Sequence, residues 1–155
     1  PRILPRRPPI RPHRTRVGSM NIYFAASIRG GRNHADKYED IIEHLKENHD
    51  VLSEHVGDGD LDATGNSEDP NNIHDEDIAW INKADIVIAD VTQPSLGVGY
   101  EVRHAIHKNK PTLCIYHKQT SHSISAMIQG SEATVRQYND VDEAKQVVEE
   151  FFKQV

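Results

Sequence analysis

Two carboxylates stand where the surrounding pattern leaves little room for charge. In a helix expected to begin near Gly97, the apolar residues Val98, Val102, Ala105 and Ile106 share one face. Glu101, three residues after Val98 and four before Ala105, falls in the same stripe. Upstream, Ile73, Asp77 and Ile81 form an i, i+4, i+8 row with Ile78 and Trp80 beside it, so Asp77 is also expected to turn inward. Desolvating a carboxylate is costly unless its charge is paired or put to use. Plain uses exist: Glu101 could be a first-turn glutamate stabilised by the helix macrodipole, and Asp77 could accept a hydrogen bond from a neighbouring loop. Two such carboxylates on successive helices of one small domain also suit glycosidic chemistry, in which one attacks an anomeric carbon and the other assists the leaving group.

An anion could be held nearby. Gln93-Pro94-Ser95-Leu96-Gly97 leads into the second of these helices and offers a phosphate backbone N–H groups, the Ser95 hydroxyl and a favourable dipole. Ser27 and Arg29 with the Gly30-Gly31 pair form a second wall, where glycine permits close backbone approach and the guanidinium can pair with phosphate oxygens. An ordinary strand-to-helix turn would use the same residues. Neither GxxxxGK followed by Ser or Thr nor GxGxxG occurs, so this is not a Walker loop or a dinucleotide fingerprint. Tyr23 occupies an alternating strand position from which its hydroxyl could reach Glu101, or it is simply core. His55 follows the second strand and is either a base or sugar contact or a surface histidine. Ser125, in Ser123-Ile124-Ser125-Ala126-Met127, reads most simply as a helix cap.

The elements that would position these groups alternate short β-type runs with amphipathic stretches, the signature of a parallel sheet with crossover helices. Strands are expected over residues 21–26, 50–53, 85–90, 112–116 and 134–138. Helical stripes are marked by Tyr38, Ile41, Ile42 and Leu45 and by Val141, Ala144, Val148 and Phe151. In such a sheet ligands gather beyond the carboxyl ends of the strands, where segments 27–32, 53–55 and 90–101 fall. The Gly-, Asp- and Asn-rich region 57–72, which contains Pro70, is expected to be a long loop at the rim of a site. Residues 1–19 mix Pro and Arg with almost no apolar pattern. They are expected to be a disordered extension of the kind cloning adds ahead of a natural start at Met20, leaving one domain over 20–155.

A chain of 155 residues can close one hydrophobic core but hardly two. Its formal charge of -6 argues against gripping a nucleic-acid backbone, which needs a clustered basic surface, while a free nucleotide can still be held locally. Apolar runs such as Ile86-Val87-Ile88-Ala89 are too short to cross a bilayer and no signal-type segment is seen. A soluble protein of the cytoplasm, with the nucleus also open to it, is therefore expected. The single cysteine, Cys114, lies in an apolar run and reads as a buried hydrophobe, and the ten histidines show no cluster at zinc-ligand spacing.

Taken together, segments 23–32, 54–56, 73–77, 90–101 and 125–127 resemble the 2'-deoxynucleoside 5'-phosphate N-hydrolases of the nucleoside 2-deoxyribosyltransferase superfamily. The resemblance runs from about Tyr23 to the C-terminus, and the run ending in Tyr100-Glu101 is its most specific part. It implies a single α/β domain of Rossmann-like fold, with a five-stranded parallel sheet in flavodoxin-type order flanked by helices. A homodimer, no metal and no organic cofactor are implied with it. By the same resemblance Glu101 would attack C1' of the sugar, Asp77 would assist proton movement near the leaving base, and Tyr23 would orient Glu101. The 5'-phosphate would lie against Ser27, Ile28, Arg29, Gly30, Ser95 and Gly97. Ser125 and Met127 would reach in from the neighbouring subunit, and His55 would lie near the ligand. Ala25-Ala26 and Val102-Arg103-His104 depart from the family pattern, which leaves base preference open. Transfer of deoxyribose to a second base, or nucleotide binding without catalysis, are the alternative readings.

Overall fold

Short apolar runs become a sheet of five parallel strands, and the two faces of those strands feed two separate cores. The computed structural model describes residues 18–27, 32–52 and 69–155. Its elements are β1 (Asn21–Ala25), α1 (Arg32–Lys46), β2 (Asp50–Val51), α2 (Pro70–Lys83), β3 (Ile86–Asp90), α3 (Leu96–His107), β4 (Thr112–His117), α4 (Ala126–Gln129), β5 (Thr134–Tyr138) and α5 (Val141–Phe152). The strand order is β2-β1-β3-β4-β5 and every pairing is parallel. This is the expected flavodoxin-type order. It places the topological switch between β1 and β3, beyond whose carboxyl ends such sheets bind their ligands.

Period-two alternation divides the side chains. Ile22 and Phe24 of β1 and Ile86 and Ile88 of β3 turn to one face, where α1 (Tyr38, Ile41, Leu45) and α5 (Ala144, Val148, Phe151) cover them. Tyr23, Ala25, Val87, Ala89 and Cys114 turn to the other, beneath Ile81 of α2 and Val98, Val102 and Ala105 of α3. Cys114 is fully buried and burial pushes its thiol up to about 12, so it behaves as a small hydrophobe, as expected. Among the described residues no helix is long and apolar enough to cross a membrane.

Several boundaries differ from expectation for identifiable reasons. β1 stops at Ala25 rather than residue 26, and β2 spans two residues, the expected Ser53 lying outside the described residues. β3 begins at Ile86; Asp85 instead accepts a hydrogen bond from the Asn21 N–H at 2.8 Å, fastening the start of β1. β4 runs on to His117, which pairs with Tyr138 of β5. The largest correction concerns the loop expected over 57–72, whose last three residues are helical. Asp69 caps α2 by accepting from the Asn71 N–H at 2.9 Å, and Pro70 sits in the first turn, where its missing N–H leaves no bond unmade. Residues 57–68 lie outside the described residues, as do 1–17 of the expected extension. Ile73 does not join the inward row; it is 40% exposed, and α2 buries its stripe only at Ile81. α3 begins at Leu96, one residue earlier than expected, because Ser95 caps it.

Candidate active site

The middle of β1 and the second turn of α3 meet above the sheet. Tyr23 is buried on the α2/α3 face, and its hydroxyl donates to Glu101 Oε2 at 3.0 Å. Glu101 is half-buried and stands beyond the first turn of its helix, facing a phenol rather than the helix N-terminus. Burial pushes its carboxyl up to about 7; the Tyr23 hydrogen bond works against that rise and the negative charge of Asp77 adds to it. Burial likewise holds the Tyr23 phenol far above its ordinary value, reinforced by the charges of Glu101 and Asp77, so it remains a donor at any physiological pH. Asp77, half-buried on α2, is close enough for its charge to act on both partners. The fold thus gathers Tyr23, Asp77 and Glu101 into one group. A carboxylate that ionises near neutrality, aimed by a neutral donor and partly stripped of water, is equipped to act as a nucleophile or base.

Around this group the anion-binding candidates divide. Ser27 is buried just past the end of β1. Ile28, Arg29, Gly30 and His55 lie outside the described residues. Ser95 caps α3, its Oγ accepting from the Val98 N–H at 3.2 Å, which leaves the hydroxyl proton to donate outward. Gly97 is exposed in the first turn. A Cβ there would approach nothing more closely than Ser95 Oγ at 3.8 Å, so internal packing does not require glycine, and its backbone is open to a ligand.

Ser125 and Met127 stand elsewhere. Ser125 lies just ahead of α4 and caps it, accepting from the Met127 N–H at 3.2 Å; Met127 is 84% exposed. Both line a groove of about 940 Å³ between α3 and α4 that includes Ser95, Val98 and Val102 but none of Tyr23, Asp77 and Glu101. Helical spacing explains the separation: Val98, Val102 and Ile106 look toward α4, whereas Glu101 looks toward α2. Within one chain Ser125 and Met127 are therefore not brought to the carboxylates.

One contact beside the group was not singled out from the sequence. His74 Nε2 and Tyr100 Oη lie 3.0 Å apart with their rings edge-on, linking α2 to α3 beside the two carboxylates. The only hint was that His74 and Tyr100 lie in the same short segments as Asp77 and Glu101. Among the described residues no group of three or more His, Cys, Asp or Glu side chains is placed to hold a metal ion.

Residues 22–153 match the family model described as nucleoside 2-deoxyribosyltransferase. Over 139 residues the chain is 42% identical to the 5-hydroxymethyl-dUMP N-hydrolase of Danio rerio, a match covering 86% of this chain and 96% of the other. Over 116 residues it is 44% identical to the Homo sapiens protein of the same name, covering 74% and 67%. Among solved structures it is similar to a CMP N-glycosidase of Clostridium botulinum, with a TM-score of 0.64, 20% identity and coverage of 84% and 98%. A 2-deoxyribosyltransferase of Bacillus psychrosaccharolyticus gives 0.59, 20%, 81% and 90%. These two structural likenesses are likenesses of fold.

Proposed function

Because this chain belongs to the nucleoside 2-deoxyribosyltransferase family, we propose that it is an N-glycosidase hydrolysing 2'-deoxynucleoside 5'-monophosphates to free base and deoxyribose 5-phosphate. The observation that carries the reading is the bond from the Tyr23 hydroxyl to Glu101, which orients a carboxylate ionising near pH 7 within reach of the Asp77 charge. Ionised Glu101 attacks C1', the bond from C1' to the base nitrogen breaks, and the base departs with the electron pair and takes up a proton that Asp77 relays from solvent. Water then attacks C1' of the resulting ester, giving a proton to the Asp77 side and restoring the Glu101 carboxylate. Tyr23 holds the attacking oxygen in one orientation throughout.

Ser95 and Gly97, with Ser27, Ile28, Arg29 and Gly30, would take the phosphate, and His55 would lie near the base or sugar. The named substrate of the 42%-identical relative, 5-hydroxymethyl-dUMP, is itself a deoxynucleoside monophosphate, which supports a phosphate subsite. A second copy would seat on the α3/α4 groove, carrying its own Ser125 and Met127 toward this chain's phosphate loop. Support comes from the apolar lining of that groove and from Leu96 and Met127, which are 96% and 84% exposed. The family model favours one rival, transfer of deoxyribose from Glu101 to a second base.

A panel of ribo- and deoxynucleoside monophosphates, assayed for base release with and without an acceptor base, tests the proposal. Base release from a deoxynucleoside monophosphate without acceptor, abolished in Glu101→Ala, is the expected result. Strict dependence on an acceptor would establish the transferase instead, and near-normal turnover by Glu101→Ala would remove the nucleophile from the scheme. Light scattering that finds only monomer in solution would remove the second copy.

A further inference from the structure

Asp90, the last residue of β3, has no exposed surface, yet nothing in the proposed chemistry uses it. Alternation along β3 turns it to the face opposite Val87 and Ala89, hence away from Tyr23 and Glu101. Both of its oxygens are engaged. Oδ2 accepts from the Tyr138 hydroxyl at 2.6 Å, and Oδ1 accepts from the Thr92 N–H at 2.9 Å. Thr92, itself buried, accepts in turn through Oγ1 from the His117 N–H at 2.9 Å and through its carbonyl from the Thr120 hydroxyl at 3.3 Å. The His117 and Tyr138 rings meet edge-on with centroids 5.4 Å apart.

The consequence is topological. This network joins the carboxyl ends of β3, β4 and β5, from which two connections set out: one reaches Ser95 and Gly97, the other passes Thr120 and reaches Ser125. A sheet centre has no need of a charge. An apolar residue of similar volume is usually at least as stabilising, whereas a buried carboxylate that loses a donor is costly. Such a network suits fixing geometry more than adding stability.

We infer that Asp90 is a positioning residue for the phosphate subsite, fixing through Thr92 and Tyr138 both the loop that carries Ser95 into this chain's site and the loop that presents Ser125 to the second copy. The inference rests on the phosphate reading given under the proposed function. It assigns Asp90 no contact with the reacting atoms, so its loss should weaken binding of the phosphate end of the ligand and leave the chemical step nearly untouched.

The test compares wild type with Asp90→Asn, Tyr138→Phe and Thr92→Val. The readouts are kcat and KM on a deoxynucleoside monophosphate, the same parameters on the unphosphorylated deoxynucleoside, and inhibition by inorganic phosphate. KM for the monophosphate and the inhibition constant for phosphate should both rise about tenfold, with kcat changed less than about threefold and the nucleoside parameters unmoved. Equal losses on nucleotide and nucleoside, or an unchanged phosphate inhibition constant in all three variants, would overturn the proposal while leaving the phosphate subsite standing. A wild-type enzyme with no preference for the monophosphate and no inhibition by phosphate would overturn the subsite itself, and the positioning role with it. Should Asp90→Asn fail to fold by circular dichroism, Tyr138→Phe and Thr92→Val, each of which removes a single polar group, decide the matter.

Discussion

Replacing the Glu101 carboxylate by an amide should inactivate the protein and stabilise it, and the stabilisation should appear only as pH rises. In the fold the Glu101 carboxyl is raised from 4.5 to about 7, chiefly by burial. Each unit corresponds to about 1.4 kcal/mol, so the whole gap is worth roughly 3 kcal/mol, or about 2 once allowance is made for the part of the side chain that solvent still reaches. The sign follows from proton counting. Between pH 4.5 and about 7 the folded chain keeps a proton that the unfolded chain has released, so stability falls as pH rises through that window. Below it the penalty is absent; above it the penalty is complete. Glu101→Gln carries no titrating group and keeps an oxygen that can accept from Tyr23, so it escapes the penalty. For a domain of this size each kcal/mol moves Tm by roughly 2–4 °C. Melting curves of the ligand-free proteins should therefore nearly coincide at pH 5 and differ by about 4–8 °C at pH 8, the variant being the more stable. Turnover should fall by about a thousandfold or more. An identical Tm difference at both pH values would show that no desolvated charge develops at Glu101, and the account of this residue as a strained nucleophile would fail.

The same ionisation should shape activity. For wild type, kcat/KM should fall as pH drops below about 7, because only the ionised carboxylate attacks. Asp77→Asn should move that acid limb downward, since the charge that raises Glu101 is removed, and Tyr23→Phe should move it upward, since the bond that lowers it is lost; a pH–rate profile of each variant reads the direction. Ser95→Ala should do two separable things. Loss of the α3 cap should cost about 1 kcal/mol, visible in a melt, and loss of the outward donor should raise KM for the monophosphate several-fold. A lowered Tm with unchanged KM would reduce Ser95 to a cap.

What could be read from the chain depended on how far each signal had to reach. Strand faces were legible because alternation is local: it sets Tyr23 and Ala25 opposite Ile22 and Phe24, and only the folded sheet shows that α3 covers the Tyr23 side. The stripe of α3 likewise turned Glu101 toward the sheet, and family motifs narrowed the fold to a single strand order. Pro70 misled because proline marks both loops and first helical turns. The Asp69-Pro70 pair starts α2, but it directly follows a Gly- and Asp-rich stretch with which Pro70 was read as loop. Ile73 misled for a different reason. Periodicity tells which residues share a face, not how far along the helix that face is covered, and α2 covers its stripe only toward its C-terminal end. The hydrogen-bonded pairs were the least legible. Tyr23 and Glu101 are 78 residues apart in sequence, His74 and Tyr100 are 26 apart, and Asp90 and Tyr138 are 48 apart. Each depends on where two elements meet after the sheet has closed, and no short window of sequence contains both partners. Tyr23 and Glu101 could be linked beforehand because both lie in segments with a family pattern. Tyr138 lies in none of those segments, so the network at Asp90 becomes visible only once β3, β4 and β5 are side by side.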